Sequence, residues 1–205
     1  MASGRVTTVG SVGITAAAVV AGLVLGAVRG GRWRHVAEHR LLGWPLLVAG
    51  IGLQLATGPL GGDWGVACLL VSYLLLVMFA VLNLARTGMP VVLAGLALNA
   101  AVIGVNGGMP VRRSAVVAAA GGLAGVHLSG KHHLAGPADH LVFLGDVIPV
   151  RPFHEVVAAG DIGLAVGLVI VLAALLQPPR PVYVPRHRRP RSGPAARLTR
   201  PSGSR

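Results

Sequence analysis

The chain has 205 residues, of which 54% are hydrophobic and only 12% are charged. An ordinary soluble domain carries about 25% charged residues, so much of this surface must face something other than water. The formal net charge of +12 would suggest a nucleic-acid partner if it covered a folded surface. Eight of the eighteen basic residues instead lie after Gln177, in a segment without apolar periodicity. We therefore expect no nucleic-acid partner.

Five apolar runs follow in chain order, and each approaches the roughly 20 residues that a helix needs to cross a bilayer core. They cover about residues 9–28, 41–57, 64–85, 88–105 and 156–176. A further run at 114–126 is short and rich in Ala and Gly, which predicts an interfacial helix at the membrane surface or a re-entrant segment. The expected fold is an all-α, polytopic membrane helix bundle with about five transmembrane helices.

Basic residues on the joints between these runs predict which way the protein faces. The joint at 29–40 holds four Arg, the joint at 57–63 holds none, Arg86 marks the next joint, and the tail holds eight Arg. With five crossings these three basic segments fall on one side, giving it thirteen basic residues against five. Positive residues mark the cytoplasmic side. We expect a multi-pass protein of the cell membrane with its N-terminus outside and its C-terminus in the cytoplasm.

The chain divides into a membrane domain, residues 1–177, and a tail, residues 178–205, that is rich in Arg and Pro. The tail cannot bury enough apolar surface to fold, so we expect it to be disordered. Its Arg residues favour binding to anionic lipid headgroups, and the bilayer itself is the other expected partner. Gly pairs at four-residue spacing in the first and last runs indicate close helix packing, either within one bundle or in a homo-oligomer.

Polar residues are concentrated at 127–161, where five of the eight His and four of the six acids lie. Such a cluster could hold a metal or serve acid–base chemistry. No pair has a diagnostic spacing, so a metal site is considered unlikely and no cofactor is expected. The candidate metal ligands would be His132, His133, Asp139 and His140.

Asp161 lies inside the last apolar run, and an ionisable residue within a span is a functional hypothesis by default. The alternative is that the helix begins near Ala158 and that Asp161 interacts with its N-terminal dipole. Gln54, Ser72 and Asn99 lie at a similar depth in other runs. Together they predict a polar layer in the outer leaflet, which is either a shallow pocket or a set of interhelical hydrogen bonds.

Three segments carry a family resemblance. They are Asn106-Gly107-Gly108-Met109-Pro110-Val111, Phe143-Leu144-Gly145-Asp146 with Ile148-Pro149, and Gly160-Asp161-Ile162. In this order, after four apolar runs, they resemble the bacterial membrane family known as domain of unknown function 5317. The resemblance covers about residues 15–176 and implies a small multi-span bacterial membrane protein, without implying an activity.

The sequence thus supports an integral membrane protein of unassigned biochemical role with a polar site on its outer face, built from the 106–161 region. The candidate site residues are Asp161, Asp146, Asn106, Asn99 and Gln54. A small-molecule or ion transporter remains an alternative, although the chain is short and shows no evident internal repeat. A metal-assisted membrane enzyme is less expected, because no complete catalytic motif is present.

Overall fold

A computed structural model of the chain describes residues 7–8, 11–56, 62–122, 126–128 and 131–179. The α-helices in this part of the chain are α1 Val12–Val28, α2 Trp33–Glu38, α3 Trp44–Ala56, α4 Gly62–Leu82, α5 Met89–Asn106, α6 Arg113–Ala120 and α7 Ala159–Leu175. The strands are β1 Thr7–Thr8, β2 Met109–Val111, β3 Val126–His127, β4 His132–Leu134, β5 Asp146–Val150 and β6 Glu155–Ala158. Except for its first two prolines, the tail predicted to be disordered lies outside the described residues.

Five of the helices occupy the five apolar runs, which confirms the prediction of a mainly helical chain. Two of them, α4 from Trp64 and α5, are long and apolar enough to cross a membrane by length and composition. The other three apolar helices are shorter, with 17 residues in α1, 13 in α3 and 17 in α7. By length and composition, only α4 and α5 qualify as spans among the described residues.

The apolar helices form an arc. α1 packs on α7, α7 on α5, α5 on α4, and α4 on α3, so that α1 and α3 lie at the two ends. Within the described part of the chain, these two end helices do not pack along their lengths against each other. The concave side of the arc is therefore walled by all five helices.

Glycines set the close spacing of the helices in this arc. A Cβ added at Gly22 of α1 would lie 3.1 Å from the main chain of Val169, and one added at Gly167 of α7 would lie 2.7 Å from the main-chain nitrogen of Val92. Small residues let helix backbones approach in this way. The Gly pairs noted in the sequence therefore serve packing within one bundle.

The prediction of an all-α protein is wrong between residues 109 and 158, where β4, β2, β5 and β6 form a mixed sheet in that order. β2 runs parallel to both β4 and β5, with Met109 paired to His132 and Val111 paired to Asp146, while β5 and β6 are antiparallel. These strands have three to five residues, and all four residues of β6 are buried, so no period-two alternation marks them. The pairing of β2 with β4 and with β5 joins residues far apart in the sequence, which local patterns do not reveal.

The helix predicted at 114–126 is α6, which is shorter than expected. Its buried residues Ala115, Val116 and Ala119 pack with Val111 of β2 and Val156 of β6. It thus covers one face of the sheet, and its placement at a membrane surface or as a re-entrant segment stays a prediction. The sheet itself lies at the end of the bundle where α5 ends and α7 begins.

At the opposite end, α2 lies in the basic joint 29–40 and is tied to the end of α7. The Arg32 N–H donates to the carbonyl oxygen of Leu176 at 2.8 Å, and His35 Nδ1 lies 2.9 Å from the same oxygen. The Asn83 side chain, just after α4, accepts from the Leu42 N–H and donates to the Leu42 carbonyl oxygen. These contacts hold the short joints and fix the spacing of the helices at this end.

Candidate functional site

Asp161 is the third residue of α7 and binds groups on two elements. Its Oδ2 accepts a hydrogen bond from the Ala158 N–H at 3.2 Å, and its Oδ1 accepts one from Asn99 Nδ2 of α5 at 2.7 Å. Asn99 is fully buried. Asp161 is therefore a helix-terminal acid, which was the second interpretation, and it is also half of an interhelical pair; its functional role stays a prediction.

Lys131 lies directly before β4, and the sheet directs it toward the bundle. Its carbonyl oxygen accepts a hydrogen bond from the Met109 N–H at 2.6 Å, which joins it to β2. Its half-buried side chain lies beside the Tyr73 hydroxyl of α4 and within the electrostatic influence of Asp161 and Asp146. Burial opposes the charge on the ammonium, but the three neighbours outweigh burial and raise the pKa of Lys131 above its usual value. The amine is therefore a fixed positive charge.

Asp146 opens β5 and is buried, with 1% of its surface exposed. His132 Nε2 lies 3.3 Å from its Oδ2, across the central strand β2. Within the described residues neither oxygen of Asp146 has a hydrogen-bond partner of proper geometry, so this contact is a close approach without a hydrogen bond. Burial, and to a smaller degree the charge of Asp161, raises the pKa of Asp146 to about 8, with Lys131 opposing the shift. At neutral pH this carboxyl is mostly protonated.

A cavity of about 370 Å³ occupies the concave side of the helix arc. Its polar end is formed by Lys131, Asp161, Tyr73 and Gln54. Most of the remaining wall is apolar and runs along α7 as far as Leu175, with contributions from α3, α4 and α5. The lining also includes Ser11 and Thr15 at the start of α1. A mostly apolar cavity with a few convergent polar groups is the usual form of a small-molecule site.

The structure brings three of the five predicted site residues to this place. Asp161 and Gln54 line the cavity, and Asn99 holds Asp161. Asp146 is close enough to Lys131 to raise the pKa of Lys131 when its own carboxyl is ionised. Asn106 lies elsewhere, because its side chain binds the main-chain N–H and carbonyl of His140 at 2.7 and 2.9 Å and so holds the loop between β4 and β5.

The remaining member of the predicted polar layer, Ser72, does not take part. Its hydroxyl donates to the Leu69 carbonyl oxygen within α4. Of the predicted polar layer, Asp161 and Gln54 therefore line a pocket, whereas Ser72 makes a hydrogen bond within its own helix.

The four candidate metal ligands do not converge. His133 Nε2 lies 2.8 Å from Asp139 Oδ1, whereas His132 contacts Asp146. A hydrogen bond from the Gly136 N–H, together with His133, lowers the pKa of Asp139 below its usual range. Among the described residues, no three His, Cys, Asp or Glu side chains are arranged to hold a metal ion.

Sequence reasoning missed Lys131 and Tyr73. Tyr73 lies in the apolar run at 64–85, where nothing in the sequence marked it as a site residue. Lys131 did give a signal, because it is the single Lys among eighteen basic residues. Its place in the site depends on the parallel pairing of β4 with β2, which the sequence did not predict.

The class of protein defined by this geometry is a helical bundle arranged as an arc, with a cavity on its concave side and a small mixed sheet at one end. The model of the family described as "Family of unknown function (DUF5317)" matches residues 41–173, and the chain belongs to that family. The resemblance noted in the sequence is thereby confirmed. No curated protein and no solved structure matches the chain.

Proposed function

We propose that the chain is an integral membrane protein whose five apolar helices, α1, α3, α4, α5 and α7, all cross the bilayer. The distribution of polarity supports this proposal. Large apolar side chains on the outside of the bundle are exposed, among them Val20, Val48 and Leu74. Polar side chains lie inside, where Ser72 and Asn99 are fully buried. Contiguous exposed apolar surface of this kind is rare on soluble monomers.

The three tryptophans also support it. Trp33, Trp44 and Trp64 are 68%, 62% and 80% exposed, and each lies at or near the start of a helix. Trp33 lies within the basic joint and Trp44 follows it, whereas Trp64 lies at the other end of the bundle. Tryptophan is enriched at both membrane–water interfaces, so these positions mark two interfacial belts.

The weakest span is α3, whose 13 residues measure about 20 Å at 1.5 Å per residue. A bilayer core is about 30 Å thick. A helix shorter than the core is accommodated by local thinning and by flanking residues that reach the interface, at a modest cost per Å of mismatch. Trp44 and the Arg residues of the preceding joint are suited to that role.

The basic joint and the tail orient the protein with its N-terminus outside and its C-terminus in the cytoplasm. Their Arg residues face the inner leaflet, whose anionic headgroups attract them. Lys131, Asp161 and the sheet then lie at the outer face. The bilayer and its anionic lipids are the proposed partners.

At the outer face, we propose a non-catalytic binding site at the polar end of the cavity. The observation that carries this proposal is that one fixed cation, Lys131, and one carboxylate, Asp161, face the same largely apolar cavity. The neighbours of Lys131 raise its pKa above the usual value, which favours the charged ammonium. Its chemistry is therefore recognition of a polar group.

Proton-linked transport is a second candidate, favoured by one observation. Asp146 has a pKa of about 8 and contacts His132, so this buried pair changes its charge near physiological pH. In proteoliposomes, a transporter of this kind would take up protons in response to a substrate gradient, and Asp146→Asn would abolish the uptake. Proton-independent substrate movement would exclude this mechanism.

Cysteine accessibility tests the proposed topology. In a Cys68→Ala background, Ala138→Cys places a thiol in the exposed loop of the outer face and Ala37→Cys places one in α2. A membrane-impermeant maleimide should label the first variant in intact cells and the second only after lysis. Labelling of Ala37→Cys in intact cells would contradict the orientation.

A further inference from the structure

Lys131 and Asp161 face the same cavity without pairing with each other. No ion pair joins the Lys131 ammonium to Asp161 or to Asp146 in the described part of the chain, although Asp161 is close enough for its charge to act on the ammonium. Among the described residues each oxygen of Asp161 accepts one hydrogen bond, and the ammonium has three donors, of which the Tyr73 hydroxyl engages one. The space between them therefore suits a group that accepts a hydrogen bond from Lys131 and donates one to Asp161.

The apolar part of the cavity has the dimensions of one hydrocarbon chain. Its lining on α7 extends from Asp161 to Leu175, a rise of about 21 Å at 1.5 Å per residue. A volume of about 370 Å³ over that length describes a long, narrow cavity. By comparison, a cavity of about 150 Å³ holds benzene, so this one holds about fifteen non-hydrogen atoms, which is the size of one hydrocarbon chain.

The arc leaves a side opening through which such a chain can enter. The cavity wall includes Thr15 of α1 and Ile51 of α3, both exposed, and these two end helices do not pack along their lengths. If all five helices cross the bilayer, the gap between α1 and α3 faces lipid. A chain can then move sideways from the outer leaflet while its head stays at the level of Lys131.

The charges at the polar end discriminate between kinds of head group. Lys131 and Asp161 together carry no net charge, so an anionic head would gain one attraction and suffer one repulsion in a poorly solvated place. An anion would also lose its own hydration there. An uncharged head with a hydroxyl or an amide can satisfy both side chains and loses less on desolvation.

We infer that the cavity binds a single-chain amphiphile with an uncharged hydroxyl or amide head, its chain along α7 and its head between Lys131 and Asp161. This inference rests on the proposed membrane location. The same head chemistry is found in monoacylglycerols and in long-chain alcohols, and the experiment below separates them by direct competition.

The test uses the full chain in nanodiscs of a two-chain phosphatidylcholine, with a monoacylglycerol that carries a photoreactive diazirine in mid-chain. After irradiation, mass spectrometry should find the label on peptides of α7 or α4. Unlabelled monoacylglycerol or long-chain alcohol should suppress labelling at a concentration about tenfold lower than an alkyl sulfate of equal chain length, which is permanently charged. The uncharged competitor that suppresses labelling at the lower concentration identifies the class of ligand, either a monoacylglycerol or a long-chain alcohol. An alkyl sulfate that competes as well as both would overturn the assignment of an uncharged head.

Asp161→Asn should reverse which kind of competitor, charged or uncharged, suppresses labelling better. The substitution removes the negative charge but leaves an amide that can still pair with Asn99, so Lys131 becomes an uncompensated cation. The variant should reverse the preference and favour the alkyl sulfate. An unchanged preference would show that the head does not lie between these residues.

A matched pair of variants on α7 tests the position of the chain. Leu168 lines the cavity, whereas Val166 is exposed on the outside of the bundle. Leu168→Trp should abolish labelling of the cavity peptides, and Val166→Trp should leave it unchanged. Ala165→Leu fills the cavity with a smaller change and should reduce labelling if Leu168→Trp does not fold.

Equal labelling of the filled and control variants would overturn the inference. Failure of the membrane proposal looks different, because the wild-type protein would then not co-elute with nanodiscs or float with liposomes. Co-elution with equal labelling therefore refutes only the ligand, and absence of co-elution refutes the location.

Discussion

Replacing Gly95 by Ala should destabilise the bundle, because α5 and α7 touch through their backbones at this glycine. A Cβ at Gly95 would lie 2.6 Å from both the Gly160 carbonyl oxygen and the Leu164 nitrogen. These are main-chain atoms, so the helices must separate by about 0.8 Å to restore a 3.4 Å contact. Overpacking of this kind costs about 1–3 kcal/mol, and we expect the upper half of that range.

Gly104→Ala, on the same helix, is the matched control. A Cβ there meets only Leu70 at 3.9 Å, so it creates no clash. Both substitutions replace Gly by Ala within a helix, which stabilises the helix by about 1 kcal/mol. The difference in unfolding free energy between the two variants therefore measures the clash alone. Unfolding in mixed micelles of increasing SDS fraction should show Gly95→Ala to be about 2–3 kcal/mol less stable than Gly104→Ala. Equal stabilities would refute the close α5–α7 contact, and with it the shape of the cavity.

Three further predictions concern polar residues around the sheet. The pKa of Asp146 is raised from 3.8 to about 8, so the folded protein keeps a proton that the unfolded chain loses in this interval. Its stability should fall as pH rises from about 4 to about 8, and Asp146→Asn should remove that part of the pH dependence; identical profiles would contradict the burial of Asp146. The Glu155 carboxylate accepts from the Gly13 N–H at 2.6 Å, so Glu155→Ala should cost about 1 kcal/mol of unfolding free energy, unlike Glu155→Gln, which can still accept. Asn106→Ala should speed amide exchange at His140 without lowering the melting temperature by more than a few degrees; unchanged exchange would show that this clamp is not formed.

The helices were predictable because each apolar run is continuous and carries its own signal. The run at 64–85 became α4. The run at 156–176 was misplaced only at its start, where residues 156–158 belong to β6 and the helix begins at Ala159. The sheet was not predictable, because strands as short as Met109–Val111 depend on partners 20 to 35 residues away. Length and hydropathy describe one element at a time, whereas parallel pairing is a property of two.

The same distinction explains what was found of the site. Asp161 and Asn99 attracted attention because each is polar within an apolar run, and the structure brings them to 2.7 Å. Lys131 was missed although it is the single Lys of the chain, because it lies in a polar segment and its position in that segment does not indicate what it contacts. Only the pairing of β4 with β2 turns it toward Tyr73 and the cavity.

The depth of α3 in the bilayer tests the central proposal most directly, since this helix is the shortest of the five proposed spans. Nitroxide labels placed at Trp44, Val48 and Leu55, which are all exposed, report depth through their relative collision rates with oxygen and with a water-soluble nickel complex. If α3 crosses the membrane, the ratio of oxygen to nickel accessibility should peak at Val48 and fall at both Trp44 and Leu55. A uniformly shallow depth at all three positions would show that α3 lies on the surface, and would contradict both the five-span arrangement and an outer-face site.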